Sequence, residues 1–328
     1  MSIISAFIFL AAGLVILWKC ADLLVSAAVA LAKRLGVSTL VIGLTIVAMG
    51  TSAPEVAASI SAAVRGAGDV AIGNVYGSNI ANLALVGGLI ALIRPLAIQR
   101  RTIKREMPVM ILVALLLWPV LRNLELSRPE GLLLLAVFAA LILLTVYSAR
   151  KEAKSKSALA AEVIDKLVTP QVKTPAKSVK LCLVFIAIGL AGLAFGADLV
   201  VRGGVVIGRA AGLSEAVIGQ TIIAVGTSLP ELVTCIVALL RKEDEISVGN
   251  LVGSNIFNTL LVVGAAGTVR PFAIAARLAA ADYWIMVAVS AGFVVLTLIG
   301  RRKITRPGGA VLFCAYVAYI AYLLLFNR

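Results

Sequence analysis

The sequence predicts an all-α integral membrane protein: ten transmembrane helices as two inverted-topology repeats of five, with the N-terminus and the C-terminus outside. Three observations predict it. Of 328 residues, 61% are hydrophobic and 14% charged, whereas a soluble domain is roughly 45–50% apolar and about 25% charged. Apolar runs approach the ~20 residues that a bilayer core demands, and they recur along the chain. Finally, the two halves repeat each other, and the basic residues sort between alternate loops.

The first span begins near Ile3 and continues past Trp18. No early Lys or Arg precedes it, so a cleavable signal is not expected. Further spans begin near Thr39, Val70, Pro108, Gly131, Val179, Ser214, Ile246, Ala281 and Gly308. The fourth, Met107–Leu121, is short but bounded by charge on both sides. Between the fifth and sixth lies Arg150–Lys180, polar and bearing eight Lys/Arg. It reads as a solvent-exposed linker with some amphipathic helix. The division is a first five-helix repeat over 1–149, a basic cytoplasmic linker over 150–178, and a second, inverted repeat over 179–328.

Formal net charge is +14. Because the charge falls between apolar runs, it reads as topology and not as a nucleic-acid footprint. Ten spans place about 21 basic residues around Lys33/Arg34, Arg94–Arg105, Arg150–Lys180, Arg241/Lys242 and Arg301–Arg306, against about 8 on the other side. Positive-inside sorting puts the linker in the cytoplasm and both termini outside. The location expected is the cell membrane, inner or plasma.

VIGLTIVAMGTSAPE (41–55) recurs as VIGQTIIAVGTSLPE (217–231), and GNVYGSNIAN (73–82) as GNLVGSNIFN (249–258). Asp22 and Arg94–Pro95 recur as Asp198 and Arg270–Pro271. Every pair is 176 residues apart, and from Ala21 to Ile98 the copies align without a gap, with roughly 35 of 78 positions identical. An odd number of spans per copy reverses the direction of the second. Inverted repeats are the architecture of many secondary transporters, with the substrate site at the midplane between them. The loops agree: Lys104 and Arg105 become Ala280 and Ala281, while Gly66 becomes Lys242.

Glu55 lies mid-span, where a carboxylate costs about 3 kcal/mol or more unless paired or protonated. Pro54 lacks an N–H, so the Gly50 carbonyl loses its i+4 donor and the helix loosens. Thr51 and Ser52, four and three residues before Glu55, are expected on its helix face. Hydroxyls, carboxylate and freed carbonyl are hard oxygen donors, suited to Ca²⁺ or Na⁺. The second copy offers Thr227, Ser228, Glu231 and the Gly226 carbonyl. In each GSNxxN motif, Ser78 and Asn82, or Ser254 and Asn258, share a face and add neutral oxygens. Gly73 and Gly77 are expected to admit another helix backbone. Asn79 and Asn255 are expected in structural hydrogen bonds, Asn74 and Asn250 at helix starts, and Asp22 and Asp198 in helix-end or interhelical pairs. The acidic trio Glu243, Asp244 and Glu245 reads as a solvated cytoplasmic turn. Two Glu carboxylates match one Ca²⁺ in charge. The same cage suits two or three Na⁺, or protons on the carboxylates.

At these residues the chain resembles the cation/calcium exchanger superfamily, specifically prokaryotic sodium/calcium exchanger-like proteins. The resemblance covers both repeats. It implies an antiporter exporting Ca²⁺ on the inward Na⁺ gradient, with Glu55 and Glu231 binding Ca²⁺ centrally. It also implies that Thr51, Ser52, Ser78, Thr227, Ser228 and Ser254, with the carbonyls of Ala48 and Ala224, complete the ion sites, and that Asn82 and Asn258 sit at the middle. The spans near Ile3 and Val179 would slide against the core. Some relatives, including potassium-dependent exchangers, carry Asp where this chain has Asn258, so K⁺ co-transport is not the expectation. The linker has no acidic Ca²⁺ cluster, and no regulatory Ca²⁺ domain is expected.

Other classes fare worse. With no histidine in the chain, a zinc protease site and a Ser-His-Asp triad are excluded, and no nucleophile–base pair stands in the spans; an enzyme is not expected. The four cysteines, Cys20, Cys182, Cys235 and Cys314, sit singly in apolar runs and read as small membrane-helix residues. A H⁺/Ca²⁺ exchanger is the alternative, since Glu55 and Glu231 can carry protons. A passive cation channel fits inverted repeats less well. No cofactor is expected; the ions are substrates and the bilayer is the partner. No pattern here points to an oligomeric state.

Overall fold

The structure, a computed structural model, describes residues 2–164, 178–212 and 224–326. Helix α1 is Ile3–Leu35, followed by α2 Thr39–Ile42, α3 Ala48–Thr51 and α4 Ala53–Val64. Next come α5 Gly68–Ile80, α6 Gly87–Ile93, strand β1 Leu96–Ala97, α7 Arg100–Lys104, α8 Glu106–Leu121, β2 Glu125–Leu126 and α9 Arg128–Ile164. The second half has α10 Val179–Ala210, α11 Ala224–Thr227, α12 Leu229–Leu240, α13 Asp244–Phe257 and α14 Val263–Val269. It closes with β3 Phe272–Ala273, α15 Tyr283–Ile299, β4 Lys303–Ile304 and α16 Arg306–Phe326. Wide π-helical turns interrupt the rods at Gly43–Val47, Ala81–Val86, Asn258–Val262 and Leu278–Asp282.

Among the described residues, seven helices are long and apolar enough to cross a bilayer, and eight if the bent rod from Thr39 to Val64 is one span. The expected fourth span is the 16-residue α8. The expected seventh begins within 213–223, outside the described residues. Helix α9 runs on through the start of the basic linker to Ile164.

Local chemistry sets the ends of the first rod. Ser2 caps α1 by accepting from the Ser5 N–H at 3.2 Å. Gly36 ends it at φ +66°, the left-handed turn that glycine adopts without strain, with Lys33 and Arg34 in the last turn. Helices α1 and α10 pack along each other. Small residues make the approach close. A Cβ at Gly13 would lie 2.7 Å from the Gly196 carbonyl oxygen, and one at Gly203 would lie 2.6 Å from that of Ala6. Phe7, Leu143, Ile299 and Leu325 are exposed, the composition a lipid-facing surface needs.

Two short ladders join the halves. β1 pairs antiparallel with β4, Leu96 opposite Ile304, and β2 pairs antiparallel with β3, Leu126 opposite Phe272. Each ladder takes one strand from each repeat, and each is the repeat image of the other.

Ion pairs reinforce this, and they correct the reading of the acidic trio. Asp244 pairs with Arg94, which also donates to the Leu239 carbonyl at 2.9 Å. Glu245 accepts from Thr39 Oγ1 at 2.8 Å and the Leu40 N–H at 3.2 Å, capping α2, and from Gln99. Its image is Asp69, which accepts from the Ala275 N–H at 2.7 Å. Asp244 and Glu245, like Asp69, are therefore braces between repeats and not part of a solvated turn. Asp22 pairs with Arg241 of the other half, and Asp198 with Arg202 one turn along its own helix.

Candidate cation site

The GTSxPE motifs sit at helix breaks. The rod from Thr39 bends by 43° into α4. Ser52 is the joint, with φ −83° and ψ 5°, and Pro54 stands in the first turn of α4, where a missing N–H costs nothing. Ser228 repeats this at φ −91° and ψ 5°, with Pro230 at the start of α12. Thr51 and Glu55 consequently belong to two helices meeting at an angle, a correction to the single-face expectation. Glu55 and Glu231 each occupy the first turn of a new helix, the end whose free N–H groups favour negative charge.

Both carboxylates are fully buried. Ser52 Oγ donates to Glu231 Oε1 at 3.1 Å, across the repeats. Thr51 Oγ1 donates to Asn250 Oδ1 at 3.1 Å and, more weakly, to the Ala48 carbonyl at 3.4 Å. Ser78 and Glu231 both lie within electrostatic reach of the Glu55 carboxyl. Asn82 and Asn258 stand fully buried in the π-helical turns of the two crossing rods.

Among the described residues, both oxygens of Glu55, Oε2 of Glu231, the hydroxyls of Ser228 and Ser254, and both ends of the Asn82 and Asn258 amides have no hydrogen-bond partner. Buried polar groups are otherwise almost always paired, and an unpaired carboxylate is among the costliest. The donor set is all oxygen and carries two negative charges, which fits a hard cation. Thr227 lines the same cavity as Ser78. Ala224 opens α11, and its neighbours 213–223 lie outside the described residues.

Sequence reasoning missed the role of two asparagines. Asn74 and Asn250 do not tie helix starts. Asn74 donates to the Glu55 carbonyl at 3.3 Å and to Ser59 Oγ at 2.9 Å, while Asn250 holds Thr51 and donates to Cys235 Sγ at 3.5 Å. They clamp each motif helix to its neighbour. Asn79 donates to Thr259 Oγ1 at 3.0 Å and Asn255 to the Leu251 carbonyl at 2.9 Å. The glycine pair also differs between copies. A Cβ at Gly249 would lie 2.8 Å from the Leu40 carbonyl oxygen, and one at Gly253 2.7 Å from Ala48 Cβ. Among the described residues, nothing comes within 4 Å of the positions matching a Cβ at Gly73 or Gly77. Close approach is thus realised in the second copy.

The first copy instead borders a cavity of about 480 Å³, lined by Asp69, Gly73, Gly77, Ser78, Thr227, Asp282 and Tyr319. Its repeat image, beside Glu106, Phe138, Leu141 and Phe257, is about 180 Å³. A further cavity of about 380 Å³ adjoins that image and shares Thr45, Phe138, Ile142 and Phe257 with it, so both halves carry cavities.

A model of the family described as "Sodium/calcium exchanger protein" matches residues 5–147 and 181–325. The chain belongs to the sodium/calcium exchanger family. It is a multi-pass cell-membrane antiporter, not an enzyme, and exchange of cations is its activity. It is 42% identical to CaxA of Alkalimonas amylolytica, over 96% of this chain and 97% of that one. It is 34% identical to the inner membrane protein YrbG of Escherichia coli, over 95% and 94%. The sodium/calcium exchanger MaX1 of Methanosarcina acetivorans is 33% identical, over 97% and 98%. Among solved structures, the sodium-calcium exchanger NCX_Mj, soaked with zero Na⁺ and Ca²⁺, superposes with a TM-score of 0.81 at 28% identity, covering 98% of this chain and all of that one.

Proposed function

We propose that this exchanger moves Ca²⁺ against Na⁺ by alternating access. The midplane site consists of Thr51, Ser52, Glu55, Ser78 and Asn82 from the first repeat, and Thr227, Ser228, Glu231, Ser254 and Asn258 from the second. The carbonyls of Ala48 and Ala224 complete it. One observation carries the reading: two fully buried carboxylates with three unpaired oxygens among unpaired hydroxyls and amides. A cage with that charge is stable in a bilayer only when a cation or protons neutralise it. One Ca²⁺, or two or three Na⁺, does so. An empty cage pays the desolvation cost, so a return trip without cargo is disfavoured, which makes exchange obligatory and leak slow. Alternating access exchanges the roles of the two repeats, so that the site opens to one side at a time. In this reading ten spans cross the membrane, residues 150–178 link the repeats in the cytoplasm, and both termini lie outside. The family resemblance and the names of MaX1 and NCX_Mj support Na⁺ as the counter-ion.

The test is ⁴⁵Ca²⁺ uptake into Na⁺-loaded proteoliposomes diluted into Na⁺-free, K⁺-free buffer, beside vesicles energised only by a pH gradient. Uptake on the Na⁺ gradient alone is expected. Uptake on the pH gradient alone would move the protein to H⁺/Ca²⁺ exchange, with Glu55 and Glu231 carrying the protons.

A further inference from the structure

A second acid stands in the larger cavity, apart from the twelve residues of the midplane site. Asp282 ends the π-helical turn Leu278–Asp282 and is 1% exposed. Its Oδ2 lies 3.3 Å from Arg277, yet among the described residues neither carboxylate oxygen makes a hydrogen bond. It faces the cavity whose wall also carries Ser78 and Thr227. The phenols of Tyr76 and Tyr319 are within electrostatic reach of it, and the buried Tyr76 hydroxyl has no partner among the described residues.

The other repeat holds the image. Glu106 and Arg101 stand 176 residues earlier, with the Arg101 and Glu106 side chains 3.6 Å apart. Glu106 lines the smaller cavity, and among the described residues its buried Oε2 has no hydrogen bond. The intervening loop charges differ between the copies, Lys104 and Arg105 against Ala280 and Ala281, whereas the acid and the arginine are present in both. A brace for one loop would not need a buried carboxylate oxygen without a hydrogen bond, among the described residues, on the cavity wall in each half.

We propose that Asp282 is a second cation-binding position, a waiting station between the cavity mouth and the midplane site, and that Glu106 is its counterpart in the other half. This rests on the exchange reading above. Arg277 acts as a tethered substitute cation. It neutralises Asp282 while no ion is present and yields to a cation that enters, so the buried acid is never left bare. Negative potential in a low-dielectric cavity concentrates cations and speeds their entry. The ligand class is a hard cation, Ca²⁺ or Na⁺, held by carboxylate and phenol oxygens.

Two measurements on the full-length protein test it. The first is ⁴⁵Ca²⁺ uptake into Na⁺-loaded proteoliposomes across a series of external Ca²⁺ concentrations. Asp282→Asn is expected to raise the half-saturating concentration about fivefold or more, and Arg277→Gln to lower it, because the competitor is gone. Opposite directions are the signature, since a merely structural pair would shift both variants the same way. Same-direction shifts, or no shift in either, overturn the proposal. The second uses Tb³⁺ as probe, excited through tyrosine, with the purified Glu55→Gln/Glu231→Gln variant. Residual sensitised emission that disappears on adding Asp282→Asn is expected. Emission indifferent to Asp282→Asn overturns the station even if exchange is intact. Wild-type vesicles inert to the Na⁺ gradient, with Asp282-dependent Tb³⁺ emission, would instead overturn the coupling ion and keep the station.

Discussion

Ser52 Oγ donates to Glu231 Oε1 at 3.1 Å, so a hydroxyl of one repeat holds the carboxylate of the other. Among the described residues, Ser228 Oγ makes no matching bond to Glu55. Glu55→Gln and Glu231→Gln are each expected to reduce Na⁺-driven ⁴⁵Ca²⁺ uptake to that of empty vesicles while the protein still elutes as a folded species. Full uptake in either would remove that glutamate from the cage.

Asn258 is buried, and among the described residues neither end of its amide has a hydrogen-bond partner. Asn258→Asp adds a third negative charge to the cage. The half-saturating Ca²⁺ concentration is expected to fall about tenfold, equivalent to about 1.4 kcal/mol. Monovalent ions gain less, because Coulomb attraction scales with their charge. Uptake titrated with Ca²⁺ at several Na⁺ concentrations reads this directly; an unchanged Ca²⁺ dependence would place Asn258 outside the ion's reach.

Gly249 and Gly73 occupy matched positions with unmatched surroundings. Gly249→Ala drives a methyl to within 2.8 Å of the Leu40 carbonyl oxygen. Such overpacking costs about 1–3 kcal/mol. Gly73→Ala meets no described neighbour, and its thermal unfolding midpoint is expected to stay close to wild type while that of Gly249→Ala falls. Exchange by Gly73→Ala is expected to slow, because the opposite-facing state asks Gly73 to take the packing role of Gly249.

The brace between halves is measurable in the same way. Glu245→Gln weakens charge-assisted bonds to Thr39 and Leu40 and is expected to cost about 1–3 kcal/mol. Lys242 sits at φ +62°, where its image Gly66 takes φ +79°. Lys242→Gly relieves a left-handed backbone worth about 1–2 kcal/mol to an L-residue. A higher unfolding midpoint is expected, and a lower one would show that the lysine side chain matters more than its backbone.

The repeat and the motif positions were legible in the sequence, because a fixed offset of 176 exposes matched polar residues against an apolar background. The helix break at Ser52 was not. Proline forbids one hydrogen bond, but whether the chain kinks or restarts depends on what packs against it, here α10, whose Leu190 side chain abuts Gly50. The bond from Thr51 to Asn250 spans 199 residues and needs the tertiary fold. Glu243–Glu245 looked solvated because charge runs commonly are, and its partners Arg94, Thr39 and Gln99 lie in the other half. One signal was available and overlooked: the Arg101/Glu106 spacing returns as Arg277/Asp282 at the same offset.

The two small ladders have a consequence for assembly. Each is built from one strand of either half, Leu96–Ala97 with Lys303–Ile304 and Glu125–Leu126 with Phe272–Ala273. Neither half can complete its own. If the halves were separate and identical polypeptides, the same two ladders would form between two copies inserted in opposite directions. The ladders are therefore of the kind that two copies of one half would make with each other. Severing the chain within 165–177 and supplying both fragments together should reconstitute the exchanger.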